Sequence, residues 1–315
     1  MGVMRVKRFK KSGKPPEASA KGHQNKTTRR MRKIKISSGA YIAPSFLGVL
    51  AFFILPFLVV IYYSLVDNPI SGNFVFLDNF TSIMGNTAFR RAVHNTFMFS
   101  AVAVPLAVVL SLLLAIVLEA KLPFRSQFRT FFLSPMMVPV ASIVLIWQVL
   151  FHYNGAVNEV LAALGGEKID WLKSDYALVV IVILFLWKNL GYNMILFMAA
   201  LASIPKDILE VAELESARPL QTFFYIKIRY LSSTLLFVAI MSLINSFKIF
   251  REVYLLTTDY PYDSIYTLQH FMNNKFKSLD YQTLSAAAIL MSLVMIVIIG
   301  VLFIAENRFG KDVEG

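Results

Sequence analysis

Two groups of polar and aromatic side chains lie within or at the end of long apolar stretches, and these residues are the best suited to chemistry. The first group is Trp187, Lys188, Asn189, Tyr192 and Asn193, and the second is Asn245, Ser246, Lys248 and Phe250. Lys188 and Tyr192 are four residues apart, as are Asn189 and Asn193, so each pair shares a face of a helix. Amides and hydroxyls hydrogen-bond to sugars, and an aromatic ring can cover a sugar's apolar face. The pattern predicts a polar cavity for a carbohydrate between two helices.

A structural interpretation of the same residues is the alternative. Asn and Ser hydrogen-bond between membrane helices, and a lysine near a helix end can extend its ammonium group to the interface. Lys188 is the clearest functional candidate, because a charge at membrane depth is costly. The two lysines would favour an anionic sugar unless they are paired internally, and Lys248 has Glu252 four residues later.

The residue pattern argues against an enzyme. The four histidines (His23, His94, His152 and His270) are widely separated and show no ligand spacing, and the chain has no cysteine. No nucleophile is paired with a base. We therefore predict no catalytic residues, no metal site and no cofactor.

Six long apolar stretches must position these residues. The chain has 315 residues, of which 57% are hydrophobic. About 20 apolar residues cross the hydrocarbon core of a bilayer. The stretches lie at roughly 42–65, 94–118, 130–151, 177–201, 230–248 and 284–304. We predict an all-α integral membrane domain of six transmembrane helices over residues 41–310, with little mass left for a catalytic domain.

The positive charge is confined to one end of the chain. Residues 1–40 hold 13 Lys or Arg and one acidic residue, whereas the rest of the chain has no net charge. We predict a disordered cytoplasmic tail that fixes topology and contacts anionic membrane lipid, and no nucleic-acid partner. Lys and Arg outside the spans number 22 on one side and 7 on the other. This bias predicts cytoplasmic N- and C-termini, with a short cytoplasmic end at 311–315.

Proline and glycine interrupt three of the spans. Pro105 lies in the second, Pro135 and Pro139 in the third, and Gly191 in the fourth. Such interruptions are tolerated in a membrane where neighbouring helices or a cavity satisfy the freed backbone groups. They fit a transport bundle, although irregular packing alone would also explain them.

The charged loop at 203–229 is predicted to form two helices joined by a turn. Ser203 is suited to cap the first helix and Pro205 to begin it. The turn falls at 216–218, and Pro219 begins the second helix. The charges and helical propensity suggest a docking surface for another protein on the cytoplasmic side. An amphipathic connector between two spans is the alternative.

This loop resembles the cytoplasmic "EAA" loop of importer-type ABC permeases, written E-A-A-x3-G-x9-I-x-L-P. Glu210, Ala212 and Ile226 match it in register, whereas Val211, Ser216, Ile228 and Arg229 depart from it. Ser216 replaces a glycine, and a left-handed residue there would cost roughly 1–2 kcal/mol. The resemblance implies a coupling surface for an ATPase, made of Glu210, Ala212, Glu213, Ser216, Ala217, Gln221 and Ile226.

The resemblance extends along roughly residues 40–305 to the maltose-type sugar permeases of the first-subunit class. The matching blocks lie at 77–80, 95–96, 128–130, 169–172, 187–194, 203–206 and 253–257. Their joint order and spacing carry the resemblance. It implies the type I ABC importer permease fold, with both polar groups lining the substrate pathway.

The family implies a permease subunit of an ATP-driven importer for a sugar or oligosaccharide, in the plasma membrane of a prokaryote. Its partners would be a second permease in a heterodimer, two cytoplasmic ABC ATPase subunits and an extracellular solute-binding protein. The chain has no G-x4-G-K-[ST] phosphate loop, so ATP hydrolysis must come from a separate chain.

Three alternatives remain open at this stage. The same machine could import glycerol phosphate, a polyol or another small solute. A secondary transporter would need ion-coupling acids within the spans, whereas Glu119 and Glu306 fall only at span edges. A membrane scaffold without transport is disfavoured by Lys188.

Overall fold

A computed structural model describes residues 41–119 and 123–309, with only the backbone of Phe309. The predicted basic tail at 1–40 and the predicted end at 311–315 lie outside the described residues. Within the described ranges the chain is predominantly helical and has no β-strand. The predicted all-α class is therefore confirmed.

The described chain forms twelve main helices, numbered here in chain order. Their bounds are α1 Tyr41–Ser64, α2 Asp78–Gly85, α3 Thr87–Glu119, α4 Arg125–Met137, α5 Val140–Leu150, α6 Ala156–Ala163, α7 Ala177–Ala202, α8 Lys206–Leu214, α9 Ser232–Phe247, α10 Phe250–Thr257, α11 Leu268–Lys277 and α12 Tyr281–Phe309. Short helical turns at 219–230 join α8 to α9. Among the described residues, five segments are long and apolar enough to cross a membrane, and there are six if the bent pair α4–α5 is counted as one span.

The described chain divides into two units between Val59 and Val60. In the first unit, residues 41–59 of α1 are apolar and mostly exposed, with Phe52 and Phe53 among the most exposed side chains. A helix that is apolar on all sides is typical of a membrane span. The three apolar clusters of the described chain all lie within the second unit.

Helices α3 and α7 form the centre of the second unit. In one apolar cluster, the rings of Phe99 on α3 and Phe185 on α7 pack edge-to-face, with 5.5 Å between centroids. A second cluster joins the same two helices to α9 through Leu112, Phe197 and Val238. The residues predicted to do chemistry on α7 and α9 therefore sit on the best-packed elements.

Buried or half-buried amides hold the long loops in place. The Asn95 side chain on α3 donates to the carbonyls of Asp263 and Tyr266, at 2.5 and 3.0 Å. Asn158 on α6 is fully buried and accepts a 2.9 Å hydrogen bond from the Trp171 indole. Each amide satisfies backbone or side-chain groups that would otherwise lie unpaired beside the bundle.

The third span is broken rather than kinked. Helices α4 and α5 meet at an angle of 101°. Val138 between them is extended, with φ −83° and ψ 130°, and Pro139 follows with ψ 139°. A residue before proline avoids the helical conformation, and proline has no N–H to continue the ladder. By contrast, Pro105 lies inside α3, which runs without interruption.

Gly191 does not interrupt its helix. It lies inside α7, which is continuous, and a Cβ at this position would overlap the Phe132 carbonyl of α4. The missing side chain lets the two backbones approach closely, as small residues do at membrane helix contacts. The predicted interruption of the fourth span is therefore wrong, and Gly191 is a packing site.

We expect Gly191→Ala to destabilise the protein by roughly 1–3 kcal/mol, because the added methyl group must push α4 away from α7. Thermal unfolding of the detergent-solubilised protein measures the effect. Gly300→Ala is the matched control, since a Cβ on Gly300 in α12 meets nothing within 4 Å. Equal melting temperatures for the two variants would contradict the close helix contact.

Candidate functional site

A cavity of about 260 Å³ lies where the third span is broken. It is enclosed by the end of α4, the start of α5, the middle of α7 and the α9–α10 junction. Its lining residues are Pro135, Met136, Val138, Val140, Phe185, Lys188, Asn189, Asn245, Lys248, Ile249, Arg251 and Glu252. Four of these lining side chains are charged: Lys188, Lys248, Arg251 and Glu252.

An ion pair between α7 and α10 forms one wall of the cavity. The Lys188 ammonium group donates to Glu252 Oε1, and the two side chains are 21% and 3% exposed. Arg251 Nη2 lies 3.7 Å from the same oxygen. Glu252 Oε2 is buried and has no hydrogen-bond partner among the described residues. A charge pair this deep requires close contact to offset its desolvation.

Lys248 does not pair with Glu252, although the two are four residues apart. The helix is interrupted by a turn at Lys248 and Ile249, between α9 and α10, so the regular helical spacing is lost. Lys248 is exposed at the cavity and has no ion pair within the described ranges. The structure thus assigns the counterion to Lys188 instead.

Two asparagine side chains form the adjoining wall. Asn245 Nδ2 on α9 donates to Asn189 Oδ1 on α7 at 2.9 Å, and Asn189 Nδ2 donates to the Phe185 carbonyl at 2.8 Å. The Phe185 residue also lines the cavity. Of the predicted pathway residues, the structure brings four together here: Lys188, Asn189, Asn245 and Lys248.

Two other predicted pathway residues are buried between helices. Asn193 donates to the Ser242 hydroxyl at 2.9 Å, which joins α7 to α9. The hydroxyls of Ser246 and Ser100 lie 2.9 Å apart, which joins α9 to α3. Neither Asn193 nor Ser246 lines the cavity, and both make the interhelical contacts expected of polar residues in membrane bundles.

The predicted aromatic residues also lie outside the cavity lining. Trp187 packs edge-to-face against Trp147, with 6.2 Å between centroids. Phe250 packs in the same way on the buried His270 ring at 4.7 Å. Burial lowers the pKa of His270 to about 4, so this imidazole is neutral near pH 7. Tyr192 is half-buried.

Sequence reasoning missed several cavity residues, of which Glu252 and Arg251 matter most. The prediction ended the fifth span at 248, whereas the apolar segment runs over Ser232–Thr257 and includes both residues. The signal that was present is the charge of Lys188, because a charge within a membrane span is commonly paired with an opposite charge. Within the described ranges, no group of three His, Cys, Asp or Glu side chains could hold a metal ion.

The loop between α7 and α9 contains the predicted helix and turn. The Ser216 N–H donates to the Glu213 carbonyl and the Ala217 N–H to the Ala212 carbonyl, both at 2.9 Å. This hydrogen-bond pattern is the Schellman motif that ends many helices, and its key residue is left-handed. Ser216 has φ +57°, so serine occupies the position that favours glycine.

The start of α8 differs from the prediction. Ser203 was expected to cap it, but the Ser203 hydroxyl donates back to the Ala200 carbonyl at 2.7 Å, at the end of α7. Pro205 occupies the capping position instead and makes no side-chain hydrogen bond. The predicted cap is therefore wrong, because the hydroxyl completes the preceding helix.

Helix α8 presents an exposed surface. Glu210, Glu213 and Leu214 are exposed, with Leu214 at 84%, whereas Ala212 faces the protein. A shallow cleft of about 440 Å³ runs beside the helix. Its lining residues are Asp207, Ile208, Val211, Ala212, Glu215, Ala217 and Ile226. Farther along, Gln221 is exposed and its side-chain oxygen accepts the Arg218 N–H at 2.9 Å.

A second ion pair ties this loop to the bundle. Lys227 Nζ lies 2.9 Å from Glu119 Oε2 at the end of α3. Both side chains are partly buried, so this contact is screened less than an open surface pair. The loop is therefore attached directly to one of the two central helices.

Comparison with known proteins identifies the family. A family model described as "Binding-protein-dependent transport system inner membrane component" matches residues 107–315. The lactose transport system permease protein LacF of Rhizobium radiobacter is 29% identical over 253 residues, covering 77% of this chain and 84% of LacF. The trehalose/maltose transport system permease protein MalF of Thermococcus litoralis is 29% identical over 276 residues, covering 86% and 93%.

A solved structure shares the fold. A chain from a bacterial ABC transporter involved in the import of the acidic polysaccharide alginate superposes with a TM-score of 0.77. It is 20% identical, and the match covers 89% of this chain and 99% of that chain. The predicted type I importer permease fold is confirmed. This chain belongs to the family of membrane components of binding-protein-dependent transport systems.

Proposed function

We propose that this chain is a permease subunit of an ATP-driven ABC importer for a sugar or oligosaccharide. A second permease would complete the translocation pathway as a heterodimer. The observation that carries the cargo assignment is the cavity at the broken third span, where the Asn189 and Asn245 amides adjoin the Lys188–Glu252 ion pair. The names of two relatives, for lactose and for trehalose or maltose, support a sugar.

The cavity chemistry suits a molecule rich in hydroxyl groups. A sugar hydroxyl both donates and accepts, and the cavity supplies amides, ammonium groups and a carboxylate. The break between α4 and α5 adds backbone carbonyls and N–H groups that no longer bond within a helix. The Phe185 side chain lines the same space and offers an apolar contact. Trp187, Tyr192, Asn193, Ser246 and Phe250 would support this wall rather than touch the cargo.

The loop containing α8 would couple the bundle to ATP hydrolysis. Two cytoplasmic ABC ATPase subunits would bind the exposed face of α8, and Leu214 would enter an apolar pocket of the partner. Lys227 and Glu119 would pass movement of the loop to α3. The loop and both termini would then lie in the cytoplasm, and an extracellular solute-binding protein would dock at the opposite mouth.

Two alternatives are weaker. The same machine could carry glycerol phosphate, a polyol or another small solute. An ATP-independent secondary transporter would need an acidic residue within a span for ion coupling. Sequence analysis found none, but Glu252 lies within the fifth span. That acid is paired with Lys188, and membership of a binding-protein-dependent family favours the importer.

We expect Lys188→Met to cost about 3–5 kcal/mol of stability, because it leaves the Glu252 carboxylate buried without its partner. The double variant Lys188→Met with Glu252→Met should recover that stability, since both charges are removed. Sugar uptake should fall at least tenfold in both variants. Unfolding in detergent and uptake by the reconstituted complex measure the two effects separately.

The surface pair Lys168–Glu159, at 3.0 Å, is the matched control. The double replacement of these two residues by Met should leave uptake unchanged, because exposed pairs contribute little. Normal uptake by the stable Lys188/Glu252 double variant would show that the buried pair only holds the helices together.

We expect Glu210→Ala and Leu214→Ser to reduce recovery of the ATPase when the complex is purified from detergent. Each change removes part of the exposed face of α8, and an apolar anchor is commonly a main energetic contact of an interface. Leu164→Ser is the matched control, since Leu164 is 81% exposed just after α6 in a loop of the opposite predicted side. Equal loss of ATPase in all three variants would argue against α8 as the docking surface.

A further inference from the structure

The cavity at the α4–α5 break contains more positive than negative charge. Its charged lining residues are Lys188, Lys248, Arg251 and Glu252. Three cationic side chains against one carboxylate leave a net charge of +2. A surplus of this kind in a space of about 260 Å³ raises the local concentration of anions.

The single carboxylate cannot serve all three cations. Glu252 Oε1 accepts from Lys188, which occupies the short contact, and Arg251 approaches the same oxygen only to 3.7 Å. Lys248 has no acidic partner within the described ranges. The charge of Lys188 is therefore balanced, whereas Arg251 is balanced weakly and Lys248 not at all.

The two less balanced cations are also the accessible ones. Lys248 is exposed, and the Arg251 side chain is 66% exposed, compared with 21% for Lys188. They lie on consecutive turns at the α9–α10 junction, where both line the cavity. A guanidinium group can hold a carboxylate through two parallel hydrogen bonds, and an ammonium group can add a third.

We infer that Lys248 and Arg251 form a subsite for an anionic group on the cargo, so that the imported carbohydrate is an acidic sugar such as a uronate-containing oligosaccharide. This inference rests on the proposed function, and it adds the charge of the cargo and the residues that select it. The Asn189 and Asn245 amides would bind hydroxyl groups beside the anionic group. Lys188 would remain paired with Glu252 and would position the wall.

The test compares two trisaccharides that differ only in charge: trigalacturonate and the same trisaccharide after reduction of its carboxyl groups. Their binding to the complete complex in lipid nanodiscs is measured by equilibrium titration, without the solute-binding protein, whose own selectivity would mask the result. Trigalacturonate should bind about tenfold more tightly or better, because charge-assisted hydrogen bonds contribute that much. The preference should shrink at high ionic strength.

The double variant Lys248→Gln with Arg251→Gln should bring the two affinities to within about twofold of each other. Both side chains are exposed, so the variant should fold normally, and size-exclusion chromatography checks this. Lys173→Gln is the control, since Lys173 is an exposed lysine outside the cavity and should leave the preference intact.

Equal binding of the two trisaccharides by the unmodified complex would overturn the acidic subsite and leave the sugar importer standing. A preference that survives the double variant would also overturn it. Binding of neither trisaccharide, together with uptake of a non-sugar solute, would overturn both the subsite and the proposed cargo class.

Discussion

The structure depends on one constraint: a charge that is buried between the membrane-spanning helices must be paired there. Lys188 on α7 meets this requirement through Glu252 on α10, whose side chain is 3% exposed. Because desolvation of both groups is costly, the pair is stable only if the two helices stay in close register. That register places the α9–α10 junction opposite the middle of α7. The cavity is the space left between this contact and the broken third span.

Hydrogen bonds between uncharged side chains hold the neighbouring helices of the bundle in the same relative positions. Asn193 joins α7 to α9, and Ser246 joins α9 to α3, each through a contact of 2.9 Å. On the other side of α7, the absence of a side chain at Gly191 allows α4 to approach the helix backbone. The same helix α4 ends at the break, and Pro135 and Met136 near its end line the cavity. The cavity wall therefore rests on packing in which two of the predicted pathway residues serve as structural contacts.

The loop that contains α8 is shaped by backbone conformation instead of by a buried charge pair. Its backbone turns at Ser216, a residue in the strained left-handed conformation. Ser216 and Leu279 both have φ near +60°, and each lies at the end of a helix closed by the same hydrogen-bond pattern. Gly165 occupies the equivalent position after α6. A residue other than glycine in the left-handed conformation costs about 1–2 kcal/mol. The hydrogen bonds that the turn provides to two helix-end carbonyls offset this cost. The bend exposes α8, while the contact of Lys227 with Glu119 keeps the loop attached to α3.

The sequence by itself determined the elements and the family. Apolar length predicted the spans, motif order predicted the importer fold, and the register of the loop placed its turn at Ser216. Sequence analysis grouped Lys188 and Asn189 on one helix and Asn245 and Lys248 on another, and the structure brings all four to one cavity. Their assignment to the substrate pathway stays a prediction.

Only the tertiary structure decided which residues meet across helices. Glu252 pairs with Lys188 rather than with Lys248. Asn193 and Ser246 make contacts with other helices, and Gly191 packs on Phe132. Sequence periodicity defines the face of each helix, whereas the partner of that face depends on the rotation and crossing of helices that are distant in the chain.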